Sequence, residues 1–309
     1  MTGASIVTPA RTGSLAGVGT EPASERIAVA TRLGPVRLTV SDLGRARAFY
    51  EQVLGLRTRT LGDDGMAFGP PGPDAPALVE LRADAFARRL DRRATGLFHL
   101  AILLPSRADL GHALLRIAQR RWPLDGASDH LVSEALYLSD PDGNGIELYH
   151  DRPRSKWRYD GGALQMATLP LDLGDVAGAA GQPVPGAKGA PPGGGHWAQE
   201  TVPAGTTIGH VHLQVADLRE TEAFYHGLLG FDVVVRGYPG ALFVSAGGYH
   251  HHIGLNTWNS RGSGPPSPGS IGLRSYAIVL PDADELKRVL ARLRAADVPV
   301  LDGGGAASA

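Results

Sequence analysis

Cysteine is absent from the 309 residues, and the aromatic count is low, with four Trp, eight Tyr and seven Phe. Without thiols the chain has no disulfides and no thiolate-held zinc or iron–sulfur cluster, which leaves His, Asp and Glu as the available metal ligands. Neither sign of charge is in excess: 30 basic against 31 acidic residues give a formal net charge of −1. No basic block interrupts that balance, which argues against nucleic acid as a partner. No apolar run approaches the roughly 18 residues a membrane span requires. The opening stretch, "MTGASIVTPARTGSLAGVGTEPASER", lacks the continuous apolar segment of a secretion signal. It reads as a disordered tail over residues 1–30 of a cytoplasmic protein.

Glycine and proline, by contrast, are plentiful at 42 and 23 residues. Much of the excess falls in "GQPVPGAKGAPPGGGHWAQETVPAG", whose composition marks a flexible linker within 153–206. On either side of that linker the chain repeats itself. "VSDLGRARAFYEQVLGL" (Val40 to Leu56) returns as "VADLRETEAFYHGLLGF" (Val215 to Phe231). "GLFHLAILLPSRADL" (Gly96 to Leu110) returns as "GLRSYAIVLPDADEL" (Gly272 to Leu286). Two long matches at nearly one spacing indicate a duplicated pair of units.

Each unit opens with an alternating strand and continues into a helix with an Asp or Ser N-cap and an apolar stripe such as Leu43, Ala46, Phe49, Tyr50 and Val53. Gly55 and Gly230 are placed to close two of those helices as left-handed caps. Short strands with Gly-rich turns follow. The expectation is an α+β protein of four βαβββ modules, at about 33–84, 95–152, 207–260 and 270–309. These group into residues 33–152 and 207–309. Module four stops short: nothing in "DGGGAASA" matches the last two strands of module two, so it is expected to be incomplete, with unpaired strand edges.

Eleven histidines are unevenly spread. His112 and His226 on helices and His196 in the linker read as surface residues. The rest fall on strands or their edges. Aligning the first strands of modules two and three makes His99 and His210 equivalent, whereas modules one and four carry Pro35 and Ser275 there. Glu147 follows the turn Asp140-Pro141-Asp142-Gly143-Asn144-Gly145 on the last strand of module two, on the face opposite Ile146 and Leu148. Two neutral imidazoles and one carboxylate form the set that holds Fe(II) and leaves coordination positions open. The ligands expected are therefore His99, Glu147 and His210, at a site between modules two and three. His212 shares the inward face and is an alternative ligand or a group lining the pocket. In the run His250-His251-His252, alternation sends His250 and His252 one way and His251 the other, so at most two of the three can line a pocket.

This pattern resembles the vicinal oxygen chelate superfamily and, within it, the type I extradiol ring-cleaving dioxygenases of the catechol-2,3-dioxygenase type. The local match is His130, then Leu136-Tyr137, Asp140-Pro141, Asp142-Gly143 and Glu147 at the spacing of the extradiol signature. "GHVHLQVADL" and "SAGGYHHHIGLNTW" carry it in the second half. The resemblance implies an Fe(II) cofactor, with Mn(II) as an alternative, and a catecholic substrate cleaved with dioxygen. It also implies that His252, with His251 or His250 as alternatives, serves as acid and base, and that His130 and Tyr137 orient the diol. His212 and His250 are expected against the substrate, and a homo-oligomer is admissible. Two rival readings share the architecture. A glyoxalase-like isomerase would want a second carboxylate in "HHHIGLNTW", which has none. A metal-free, drug-sequestering module would have no use for the three matched ligands.

Overall fold

The computed structural model describes residues 25–61, 65–181 and 199–300, together with the backbone of a strand at 4–9. The first strand, β1 (Ala4–Pro9), lies within the segment expected as a disordered tail, and that expectation is corrected for these residues. Residues 1–3 and 10–24 lie outside the described residues.

Module one comprises β2 (Arg32–Val40), α1 (Leu43–Ala48) with a following π-helical turn (Phe49–Val53), β3 (Arg57–Thr60), β4 (Gly65–Gly69) and β5 (Val79–Ala83). The Asp42 side chain caps α1 by accepting from the Arg45 N–H, and Gly55, at φ +77°, turns the chain out of the helix. Module two contains β6 (Gly96–Leu103), α2 (Arg107–Gln119), β7 (Gly126–Asp129), β8 (Ser133–Ser139) and β9 (Gly145–Asp151).

The stretch expected as linker is partly ordered. It holds the hairpin β10 (Tyr159–Asp160) and β11 (Ala163–Leu164), the short strand β12 (Leu169–Pro170) and helix α3 (Leu173–Ala179). α3 is held because Val176 and Ala177 are fully buried and Arg107 pairs with Asp175. The Gly/Pro-rich core of the linker, 182–198, lies outside the described residues.

Module three is built from β13 (Thr207–Gln214), α4 (Leu218–Glu222) with a π-helical turn (Ala223–Leu228), β14 (Asp232–Val235), β15 (Ala241–Ser245) and β16 (Ile253–Asn256). Module four contributes β17 (Gly272–Leu280) and α5 (Ala283–Ala295), and residues 301–309 lie outside the described residues.

Two sheets result. One has six strands in the order β1-β17-β2-β5-β4-β3, joining modules four and one; the other has nine, β12-β7-β8-β9-β6-β13-β16-β15-β14, joining modules two and three. In each complete module the first and last strands pair in parallel. Beside β17 that place is taken by β1, antiparallel from Ala4–Leu280 to Pro9–Ser275, so the edge expected to lie open is paired.

The nine-stranded sheet has two unlike faces, as alternation requires. Leu100, Ile102, Leu136, Leu138, Ile146, Leu148, Val211 and Leu213 enter one continuous apolar core that also takes in the helices and the six-stranded sheet. The residues between them, including His99, Glu147 and His210, point to the other face. Burying that many aliphatic side chains, at about 1.5–3 kcal/mol each, holds the sheet rigid beneath the site.

Candidate metal centre and active site

Register brings the site together. On β6, Ala101 is paired with Glu147 of β9 on one side and with His210 of β13 on the other. Tyr137 of β8 is paired with Glu147, which extends the row to Tyr137–Glu147–Ala101–His210 across four strands. His99 lies two residues before Ala101 on the same face and is paired with His212. Because Ala101 carries only a methyl group, the longer side chains on either side meet above it.

The Glu147 Oε2 atom lies 3.0 Å from His99 Nε2 and 3.1 Å from His210 Nε2. Nitrogen and oxygen atoms of the three side chains all lie within 4.8 Å of one another, and all three residues are buried. Local structure fixes each element. Asp140 Oδ1 accepts from the N–H groups of Asp142 and Asn144, which closes the turn that aims β9. β13 carries a register irregularity at Gly209, where a Cβ would overlap the Tyr149 hydroxyl; glycine there lets Tyr149 pack beneath His210, with ring centroids 4.8 Å apart.

The electrostatics suit a cation. Burial pushes His210 down to about 4, with Glu147 opposing and His99 and His250 reinforcing, so near pH 7 the imidazole is neutral. Burial works against charge on Glu147 too, but the imidazoles of His210 and His99 hold its carboxyl well below the ordinary range. Two imidazoles and one carboxylate are thus gathered at one point. His99 Nε2 and His210 Nδ1 are buried without hydrogen-bond partners, although His99 Nε2 lies 3.0 Å from the Glu147 carboxylate. An orphaned buried polar atom costs about 1–3 kcal/mol. Coordination of a divalent ion would satisfy His99 Nε2, so these residues fit a metal.

The triad opens onto a cavity of about 610 Å³. Phe98, Phe243 and Trp258 supply apolar wall, and His130 and Tyr137 line the same space. His130 Nε2 is 2.6 Å from the Tyr137 hydroxyl, and its Nδ1 is 2.6 Å from the Ala167 carbonyl oxygen. Since Nδ1 donates to that carbonyl, Nε2 is placed to accept from the tyrosine. Burial, then Glu147, raises Tyr137 well above its ordinary value, so it stays protonated. His212 is buried in the cavity wall with its Nε2 unpartnered, its ring 4.9 Å from that of His99; it is outside the ligand cluster.

The histidine run is placed differently from expectation. It lies in the loop before β16, not within a strand, so alternation does not govern it. His251 lines the cavity and packs against His210, with ring centroids 4.1 Å apart and the planes tilted by 47°. His252, expected as acid and base, lies off the cavity, where its Nδ1 accepts from the Ala246 N–H at 3.2 Å and meets the Ser245 hydroxyl. His250, expected against the substrate, is turned toward Asp151, 2.8 Å from its carboxylate. Both expectations are corrected. His226, read as a surface residue, is buried and bonded to the Phe231 carbonyl at 2.6 Å. Tyr149, two residues from Glu147 on the same face, has a sequence position that marks it as a neighbour of the site.

Comparison with known proteins gives the family. The model of the Glyoxalase/Bleomycin resistance protein/Dioxygenase superfamily matches residues 32–148 and 207–306. The chain is 42% identical over 267 residues to a catechol-2,3-dioxygenase of Bacillus subtilis (strain 168), covering 85% of this chain and 88% of that one. Among solved structures, a Bacillus subtilis protein assigned as a dioxygenase is similar at 16% identity and TM-score 0.48, over 75% of this chain and 65% of that one. A glyoxalase/dioxygenase from Nostoc punctiforme is similar at 21% identity and TM-score 0.34, over 40% of this chain and 92% of its own. The chain belongs to the glyoxalase/bleomycin resistance protein/dioxygenase superfamily.

Proposed function

We propose that this protein is an extradiol dioxygenase that opens the ring of catechol or a substituted catechol, using Fe(II) held by His99, Glu147 and His210. The observation that carries the reading is the meeting of two imidazoles and one carboxylate at the wall of a cavity that also holds a tyrosine–histidine pair. The 42% identity to a catechol-2,3-dioxygenase over most of both chains supports the same chemistry. When bound, the metal would supply open positions for the diol and dioxygen and a path for electrons between them.

The remaining tasks fall to the protein. Phe98, Phe243 and Trp258 provide the apolar walls against which an aromatic ring packs and from which water is displaced. Tyr137 is held by His130 with its oxygen available to a diol oxygen, which fixes the orientation of the ring. His251 faces the cavity beside His210 and is the base that accepts a diol proton and later returns one to the opening product. The test is oxygen uptake by anaerobically purified, iron-loaded protein given catechol. Stoichiometric consumption with a yellow hydroxymuconic semialdehyde product is expected; no uptake with catechol or alkyl- and aryl-substituted catechols would refute the assignment.

A further inference from the structure

Beside the triad, three side chains form a line that ends in the cavity. Asp151, the last residue of β9, places Oδ1 2.8 Å from His250 Nε2. His250 Nδ1 then lies 2.7 Å from His251 Nδ1. His250 has no exposed surface and His251 very little, so water does not compete for the bond between the two imidazoles. Beside the line the Tyr249 ring packs against that of His250, with centroids 4.1 Å apart, and its hydroxyl is 2.7 Å from the Tyr149 hydroxyl.

The donors and acceptors can be assigned in order. A carboxylate only accepts, so His250 donates from Nε2. A neutral imidazole has one N–H, which makes His250 Nδ1 the acceptor in the next bond. His251 must then donate from its own Nδ1, and its Nε2 is left with a lone pair. We infer that Asp151 and His250 are positioning residues that lock His251, which lines the cavity, in the Nδ1–H tautomer and so leave the lone pair on its Nε2. The claim rests on the proposed activity only for its purpose, because the tautomer is a property of the protein alone. An orienting carboxylate behind a catalytic imidazole is a known way to fix which nitrogen does the work. Here the orientation passes through a second imidazole.

The experiment is ring-¹⁵N histidine NMR on the full-length, metal-free protein, wild type and Asp151→Asn, followed by kinetics of the iron-loaded forms. In the wild type His251 is expected to carry its proton on Nδ1 and His250 on Nε2. In Asp151→Asn the side-chain amide can donate to His250 Nε2, which reverses the line and moves the His251 proton to Nε2. With that reversal kcat should fall between about tenfold and a hundredfold, while iron content is retained and KM changes little. A wild-type spectrum with His251 protonated at Nε2 would overturn the inference whether or not the variant folds. So would an Asp151→Asn protein whose tautomers and kcat are both unchanged. Wild-type protein with the expected tautomers but inert toward catechols would support the positioning claim and overturn the proposed activity.

Discussion

Glu147 and His210 stand in register with the same residue, Ala101, one on each side of β6, and their facing atoms are 3.1 Å apart. The small side chain between them is therefore part of the site's design. Replacing it with Ala101→Val adds two methyl groups where the ligands converge. Overpacking of this kind costs about 1–3 kcal/mol, which a sheet backed by this core should tolerate. Metal content is expected to fall at least tenfold while the far-UV circular dichroism is kept. A variant that retains full metal would show that the ligands do not meet above Ala101.

His251 and His252 should respond in opposite ways. His251→Gln removes the base at the cavity and is expected to lower kcat by about a hundredfold or more, with iron retained. His252→Phe breaks only the bonds to Ala246 and Ser245, so it should lower Tm while leaving kcat within threefold. Steady-state kinetics and thermal melts on the two variants distinguish them. The reverse pattern would return the acid–base role to His252.

Tyr137→Phe removes the hydroxyl that His130 holds at 2.6 Å. Iron content should stay constant and kcat should fall by roughly ten- to a hundredfold. Because burial and Glu147 keep the tyrosine protonated, its loss should not alter the alkaline limb of the pH–rate profile. An alkaline limb that disappears in the variant would mean that Tyr137 titrates during turnover.

These contrasts separate what the sequence could reveal from what it could not. Glu147 was legible because its neighbours alternate and a Pro/Gly turn precedes it. His99 and His210 were legible because the chain carries two aligned copies of the same strand. The orientation of the His250–His252 run was not, since those residues lie in a loop and take their directions from Asp151, Ser245 and Ala246, which are distant or off-pattern in the sequence. β1 was not legible for a similar reason. "ASIVTP" is too short and mixed to announce a strand, and it becomes one by pairing with the free side of β17. Helix α3 is likewise supported by tertiary contacts, including Arg107 with Asp175, in a stretch whose overall composition suggested a linker.

The metal-free protein should lose stability as the pH falls. Burial lowers His210 and His252 to about 4, against 6.5 in an unfolded chain. Between those values the unfolded state binds more protons than the folded one, so stability rises with pH and is lost on acidification below about 6.5. The two residues alone give a slope of up to about 2.7 kcal/mol per pH unit. His212 and His251, also lowered by burial and by neighbouring histidines, act in the same direction. Urea melts of chelator-treated protein at pH 5 and pH 7.5 should show a clearly lower midpoint at pH 5. Equal midpoints would mean that these imidazoles are not buried in their neutral form.

The most direct measurement is the metal content of anaerobically purified protein and of His99→Ala, His210→Ala and Glu147→Gln. One iron per chain in the wild type, and near-total loss in each of the three variants, is the expected result. Iron that persists after all three substitutions, or a wild-type protein that takes up no divalent ion at all, would contradict it.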